Sequence, residues 1–219
     1  MTAAHAAKKA RLIMELRAAG ITDLPVLGAM ERVPRELFLP DAFKDRAYEN
    51  VALPIGHAQT ISQPLVVALM TQALEVGERH KVFEIGTGSG YQAAVLARLC
   101  RRVFTMERHR DLLKLAEQRF AELRIHNITT RYGDGSKGWP EQAPFDRIIV
   151  TAAAPEIPQI LIDSLAEGGV MVVPVGDERR DQTLKRIRRI NGGAVAEELG
   201  PVRFVPLVSG LPRNGLRQG

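Results

Sequence analysis

From residue 81 to residue 175 the chain alternates short apolar or β-branched runs with longer amphipathic ones. The runs at 81–85, 102–106, 128–132, 145–151 and 170–175 are too short for helices and read as strands. The intervening stretches 91–99, 111–123 and 158–166 have helical composition. Such alternation predicts βαβ units, hence a doubly wound, mostly parallel α/β sheet with helices on both faces. Upstream, Pro54, Gly56 and Pro64 make 51–64 a loop or short extended connection into an apolar helix at 65–74, for which Ser62 is an available cap. Downstream, 182–190 follows neither period and reads as a strand only because Asn191-Gly192-Gly193 offers a turn after it. The expected organisation is one integrated domain: an N-terminal helical segment and loop over 1–78, a core over 79–176, and C-terminal strands and tail over 177–219.

The first of these strands runs into Glu84-Ile-Gly-Thr-Gly-Ser-Gly90, a glycine-dense turn between strand and helix. Glycines at 86, 88 and 90 permit a sharp turn and close approach of a ligand to the backbone. A phosphate-binding P-loop needs Lys followed by Ser or Thr after its glycines, and neither follows here. A dinucleotide fingerprint spaces its glycines G-x-G-x-x-G, whereas this turn is G-x-G-x-G. An acidic residue ahead of G-x-G-x-G is similar to the S-adenosylmethionine-dependent methyltransferases of the Rossmann-like class. A carboxylate at Glu84 would suit the ammonium end of the methionine moiety. Glu107 ends the next strand, 17 residues after Gly90, where a carboxylate accepts from both ribose hydroxyls. Asp134, between Gly133 and Gly135, is a candidate acceptor for an adenine amino group, although Asp beside Gly is also ordinary turn chemistry. Glu84, Glu107, Asp134 and Thr151 all fall at strand carboxyl ends, where one crevice would collect them.

Composition narrows the remaining classes. The 219 residues are 45% hydrophobic, enough for a substantial core. The single cysteine, Cys100, excludes an internal disulfide and reads as a packing residue; no metal site is expected. No stretch approaches 18 apolar residues, so no membrane partner is expected and a soluble cytoplasmic location is. The net charge of +5 draws heavily on the run 179–189, which reads as a solvated edge. Nucleic-acid binding is not indicated, because aromatic residues are only 5% and none interleaves that run. A monomer is the expectation, although no feature fixes the oligomeric state.

Successive motifs give a sharper reading. Thr60-Ile-Ser-Gln-Pro64, Glu84 through Gln92, Gly133-Asp-Gly135, Pro144-Phe-Asp-Arg-Ile148, Thr151-Ala-Ala-Ala-Pro155, Gly168-Gly169 with Val173-Pro-Val-Gly176, and Arg203-Phe-Val-Pro-Leu207 occur in this order. In that order the chain resembles the protein-L-isoaspartate O-methyltransferase family over roughly residues 8 to 210. The resemblance implies S-adenosylmethionine as cofactor, S-adenosylhomocysteine as product, and isoaspartyl proteins and peptides as substrates. It implies that Ser62 is the active-site hydroxyl. Thr60, Ile61, Glu84, Gly86, Thr87, Gly88, Ser89, Gly90, Glu107, Arg108, Asp134 and Gly135 would line the cofactor. Thr60, Ser62, Phe204 and Val205 would meet the substrate, whose backbone the 203–207 segment would hold as an added strand. Val208 departs from the pattern, since some members carry threonine there. Two alternatives remain open. A nucleic-acid methyltransferase suits the charge, but Thr151-Ala-Ala-Ala-Pro155 is not the Asp/Asn-Pro-Pro-aromatic turn of amino-group methylation, and Cys100 is not in a Pro-Cys motif. A binding module that has lost transfer is the other, against which stand Glu84, the three glycines, Glu107 and Ser62.

Overall fold

The computed structural model describes residues 3–177 and 181–212. A seven-stranded sheet organises them. Its strands are β3 (Lys81–Ile85), β4 (Arg102–Glu107), β5 (Ile128–Tyr132), β6 (Phe145–Val150), β7 (Leu165–Val175), β8 (Gln182–Ile190) and β9 (Gly193–Val202), in spatial order 5-4-3-6-7-8-9. The five from β5 to β7 are parallel, and β8 and β9 add an antiparallel meander at one edge. The chain winds outward from β3 to β5 and then returns to lay β6 on β3's other side. That reversal opens a crevice beyond the carboxyl ends of β3 and β6.

Each sheet face buries its own apolar layer, because alternate residues of a strand point to opposite faces. Val82 and Val103 face α4 (Tyr91–Leu96), α5 (Arg110–Glu122) and the N-terminal elements, in one continuous core. Phe83, Ile85 and Phe104 face the other way. There Phe83 stacks on Phe145 at 4.9 Å, and Phe104 meets Trp139 edge-on at 5.6 Å. The first core also takes in Leu12 and Leu16 of α1 (Ala3–Ala18), Val26 and Met30 of α2 (Leu24–Arg32), and Val67 and Met70 of α3 (Pro64–Ala73). The N-terminal segment is therefore packed onto the sheet's own core. Among the described residues no helix is long and apolar enough to cross a membrane.

Several boundaries differ from the sequence reading. The helix expected over 91–99 ends at Leu96 and finishes in a turn. That expected over 158–166 is only Gln159–Asp163, and β7 starts at Leu165 rather than at 170. The pairing explains the second difference: the register slips between Phe145 and Arg147, and a Leu165 pairing opposite Phe145 precedes Val170 opposite Arg147. The connection at 51–64 contains a hairpin, β1 (Leu53–Gly56) with β2 (Gln59–Ile61). Its turn places His57 and Ala58 at φ of 52° and 54°, a conformation ordinarily signalled by Asn-Gly, so its sequence gives little warning. Ser62 does not cap α3: the cap position is Gln63, without a side-chain bond, and the Leu65 N–H donates instead to Asn50 Oδ1 at 3.0 Å. The described part of the basic run is largely spent on internal pairing. Arg186 and Arg188 converge on Glu75, Arg186 also pairs with Glu197, and Arg189 donates to the carbonyls of Asp163 and Leu165 at the end of α6 (Gln159–Asp163). Residues 178–180, and 213–219 of the tail, lie outside the described residues.

Candidate active site

The glycine turn after β3 is held from three directions. The N–H groups of Gly86 and Thr87 donate to the Met106 carbonyl at 2.9 and 3.2 Å. The Thr151 hydroxyl, at the end of β6, donates to the Gly86 carbonyl at 2.7 Å. Below, the Thr87 and Thr105 hydroxyls share a hydrogen bond at 2.6 Å, and Thr105 donates to Glu84 Oε2 at 2.5 Å. Two of the glycines answer to packing as well as to a ligand. A Cβ on Gly86 would collide with the Thr151 hydroxyl, and one on Gly90 would lie 2.8 Å from the Phe120 ring, both at positive φ.

Glu107, nearly fully buried, is aimed before any ligand arrives. Its Oε2 accepts from Gly88 N–H and its Oε1 from His109 N–H, each at 2.8 Å. Every carboxylate oxygen has further lone pairs, so a diol can still be accepted. Glu84 lies one layer deeper, on the face of β3 shared with Thr105 of β4. It is fully buried, and its Oε1 has no hydrogen-bond partner among the described residues. Burial pushes its carboxyl up to about 8; the Thr105 bond opposes this and the Glu107 charge adds to it.

A cavity of about 390 Å³ opens above this floor. Its wall gathers Thr60, Ile61 and Ser62 from β2 and the turn into α3, Gly86 to Ser89, Glu107 to His109, Gly135, Thr151, and the stretch from Pro201 to Val208. Of the residues expected at the site, Glu84, Gly90 and Asp134 are outside this wall. For Glu84 the reason is depth, and for Gly90 its contact with α5. Asp134 sits beside the wall and holds its neighbours: Oδ1 accepts from the Ser136 N–H and hydroxyl at 3.0 and 2.6 Å, and Oδ2 from Gly210 N–H at 2.7 Å. It fastens the C-terminal segment beside Gly135.

That segment is itself clamped. The Ala153 N–H donates to Val205 C=O at 2.8 Å, and the Leu207 N–H to Ala153 C=O at 2.7 Å. Gln182 spans the backbone of Phe204, accepting from its N–H at 2.6 Å and donating to its C=O at 3.0 Å. The Phe204 backbone is therefore already engaged on one side. Gln182 was not legible as a site residue, because it opens a strand whose period is irregular. His109 was missed too: its ring sits 4.9 Å from that of His57, tying the hairpin tip to the strand that carries Glu107. A third missed group is Arg35, fully buried in a 3-10 turn at Arg35–Phe38, whose Nη2 donates to the Ser62 carbonyl at 2.8 Å.

The family model for protein-L-isoaspartate(D-aspartate) O-methyltransferase matches residues 7–212, nearly the whole chain. The chain belongs to that family. Among curated relatives, the protein-L-isoaspartate O-methyltransferase of Paramagnetospirillum magneticum is 64% identical over 93% of this chain and 96% of its own length. That of Rhodospirillum rubrum is also 64% identical, over 94% of each chain. Among solved structures, a protein-L-isoaspartate O-methyltransferase superposes with a TM-score of 0.83 at 29% identity, over 92% of this chain; this chain spans 66% of that relative's length. A Plasmodium falciparum structure assigned to the same activity, in complex with S-adenosyl-L-homocysteine, gives 0.80 at 27% identity over 91% of this chain and 98% of its own. The family's sheet is thus the α/β Rossmann-like sheet described above, and its cofactor class matches the cavity's donors and acceptors.

Proposed function

We propose that this member of the family transfers a methyl group from S-adenosylmethionine to the α-carboxylate of L-isoaspartyl residues in damaged proteins, starting their repair. The observation that carries the reading is the single cavity in which the Ser62 segment, the glycine turn, Glu107 and the 203–207 segment meet. The donor set fits the cofactor. Glu107 presents a pre-aimed acceptor to a ribose diol, and Glu84, one layer below the wall, keeps an Oε1 without a partner among the described residues as an unused acceptor beneath the site. Arg108 lines the wall, and its buried Nε has no hydrogen-bond partner among the described residues.

When bound, S-adenosylmethionine supplies an electrophilic methyl on a sulfonium. The chain's task is alignment. An α-carboxylate has a pKa of roughly 4 and needs no base at neutral pH. Ser62, with Thr60 beside it on the cavity wall, would donate to one carboxylate oxygen and leave the other free to react. Holding oxygen, carbon and sulfur near a line supplies several kcal/mol of the barrier. A direct guanidinium clamp would stabilise the ionised ground state instead. The products are a neutral methyl ester and S-adenosylhomocysteine. The neighbouring peptide nitrogen then displaces methanol, closing a succinimide whose hydrolysis yields aspartate and isoaspartate. No group of the chain is required for those later steps.

The test is transfer of labelled methyl to paired peptides differing only in isoaspartate or aspartate at one position. Base-labile label on the isoaspartyl peptide alone is expected, and equal labelling of both peptides would refute the reading. Ser62→Ala is expected to lower kcat on the order of tenfold or more while leaving S-adenosylhomocysteine affinity within about twofold. Parallel loss of both would remove Ser62 from its role.

A further inference from the structure

Arg35 is the one described side chain with zero exposure that carries a fixed charge and no counter-ion. Its nearest acidic neighbour in sequence, Glu36, is engaged with the Tyr48 hydroxyl at 2.5 Å, and among the described residues no carboxylate lies within ion-pairing distance of the guanidinium. Three surroundings are visible. Nη2 donates to the Ser62 carbonyl at 2.8 Å, the guanidinium carbon lies 4.8 Å from the centre of the Tyr91 ring, and Nε and Nη1 are buried without hydrogen-bond partners among the described residues. Tyr91 begins the helix that follows the glycine turn, and both Tyr91 and Ser62 line the cavity. Burial pulls the guanidinium's pKa down, with Tyr91 as the main opposing influence.

A buried cation without an anion is costly, and removing water from a guanidinium is repaid only when an opposite charge is near. A purely architectural link between Ser62 and the rest of the fold would be served by a neutral donor at lower cost. The site, however, is one that admits an anion when substrate binds and a neutral ester when product leaves. We propose that Arg35 is a positioning residue that selects an ionised carboxylate at Ser62, holding the Ser62 peptide from behind the cavity wall and supplying positive charge across it. Standing behind the peptide, it attracts the carboxylate without donating to its oxygens, so nucleophilicity is retained. The charge favours the acid over its methyl ester, and so favours product departure. Because the attraction belongs to the bound carboxylate before transfer, it acts on KM more than on kcat.

The proposal rests on the carboxyl-methylation reading above. The experiment compares two peptides in the presence of S-adenosylhomocysteine: one with the isoaspartyl α-carboxylate, the other with an α-carboxamide of the same shape and no charge. The wild-type protein is expected to prefer the acid. Arg35→Gln, which keeps a donor for the Ser62 carbonyl, is expected to lose about tenfold of that preference through one charge acting across a peptide unit. Its KM should rise while kcat changes by less than about threefold. Arg35→Lys, which keeps the charge, is expected to retain most of the preference. Equal weakening of both peptides in Arg35→Gln, or equal loss of preference in the Lys and Gln variants, would overturn the proposal and leave Arg35 as architecture. Should Arg35→Gln fail to fold, Ser62→Ala decides: with the cation kept and the hydroxyl gone, acid is still preferred, and complete loss of preference there would assign all selectivity to Ser62. A wild-type protein that treats isoaspartyl and aspartyl peptides alike takes down the methylation reading together with this proposal. Methylation of the isoaspartyl peptide with unchanged selectivity in Arg35→Gln takes down this proposal alone.

Discussion

At residue scale, Glu84 is a carboxyl buried beneath the glycine turn at a cost to local stability. Its ordinary carboxyl value of 4.5 is raised to about 8 by burial. The unfolded chain therefore releases its proton near pH 4.5, while the folded chain retains it to about 8. Between those values the folded state binds more protons, so this group's contribution to stability is fully present below pH 4.5 and declines as pH rises towards 8. Measured against the unsubstituted chain, Glu84→Gln is expected to raise the midpoint of thermal unfolding more at pH 8 than at pH 5, in the absence of ligand. If Glu84 serves the cofactor's ammonium end, as expected from the sequence, the same substitution should weaken S-adenosylhomocysteine binding. Thermal scans at both pH values and a calorimetric titration check the pair; a variant no more stable at pH 8 and binding as before would contradict it. Cys100, by contrast, is held up to about 12 by burial, consistent with packing rather than nucleophilic service.

At the scale of elements, the segment after β9 depends on a side chain imitating a strand. Gln182 supplies to Phe204 the donor and acceptor that a neighbouring peptide would give. Gln182→Leu leaves both Phe204 groups unpaired, and a loss of about 1–3 kcal/mol in urea unfolding is expected. Peptide KM should rise while S-adenosylhomocysteine affinity is maintained, because the cofactor turn rests on Met106, Thr151 and Thr105 instead. Much of the element plan is legible in the order of residues alone, since β3, β4, β5 and β6 are short apolar or β-branched runs with helical stretches beside two of them. Less legible are the elements held by distant partners. The β1–β2 hairpin has no Asn-Gly signal, the start of β7 depends on a slipped register beside β6, and β8 is a strand whose arginines answer to Glu75 and Glu197 rather than to an alternating pattern. Within the site the same division holds. The glycine turn and Glu107 announce themselves by spacing, whereas Arg35 and Gln182 act through backbone groups 27 and 22 residues away, which spacing does not encode.

At the scale of the molecule, the cavity wall is drawn from the N-terminal hairpin, the middle of the sheet and the C-terminal segment. One core runs beneath all of these, from Leu12 to Leu184. Ligand binding to the folded state alone is then linked to global unfolding. S-adenosylhomocysteine at a free concentration of about 100 Kd is expected to add about 2.7 kcal/mol to the unfolding free energy. Amide exchange should slow together at Ile61, Gly88 and Val205, in three separate stretches of sequence. Protection confined to the glycine turn would show that the wall is not closed as a unit. The link from Asp134 to Gly210 crosses 76 residues and fastens the segment that completes this wall. During translation, then, the sheet and its glycine turn leave the ribosome before the final wall exists. A nascent chain ending ahead of Arg203 would have a floor without its far side, so competence to modify other proteins waits on the segment that Asp134 fastens.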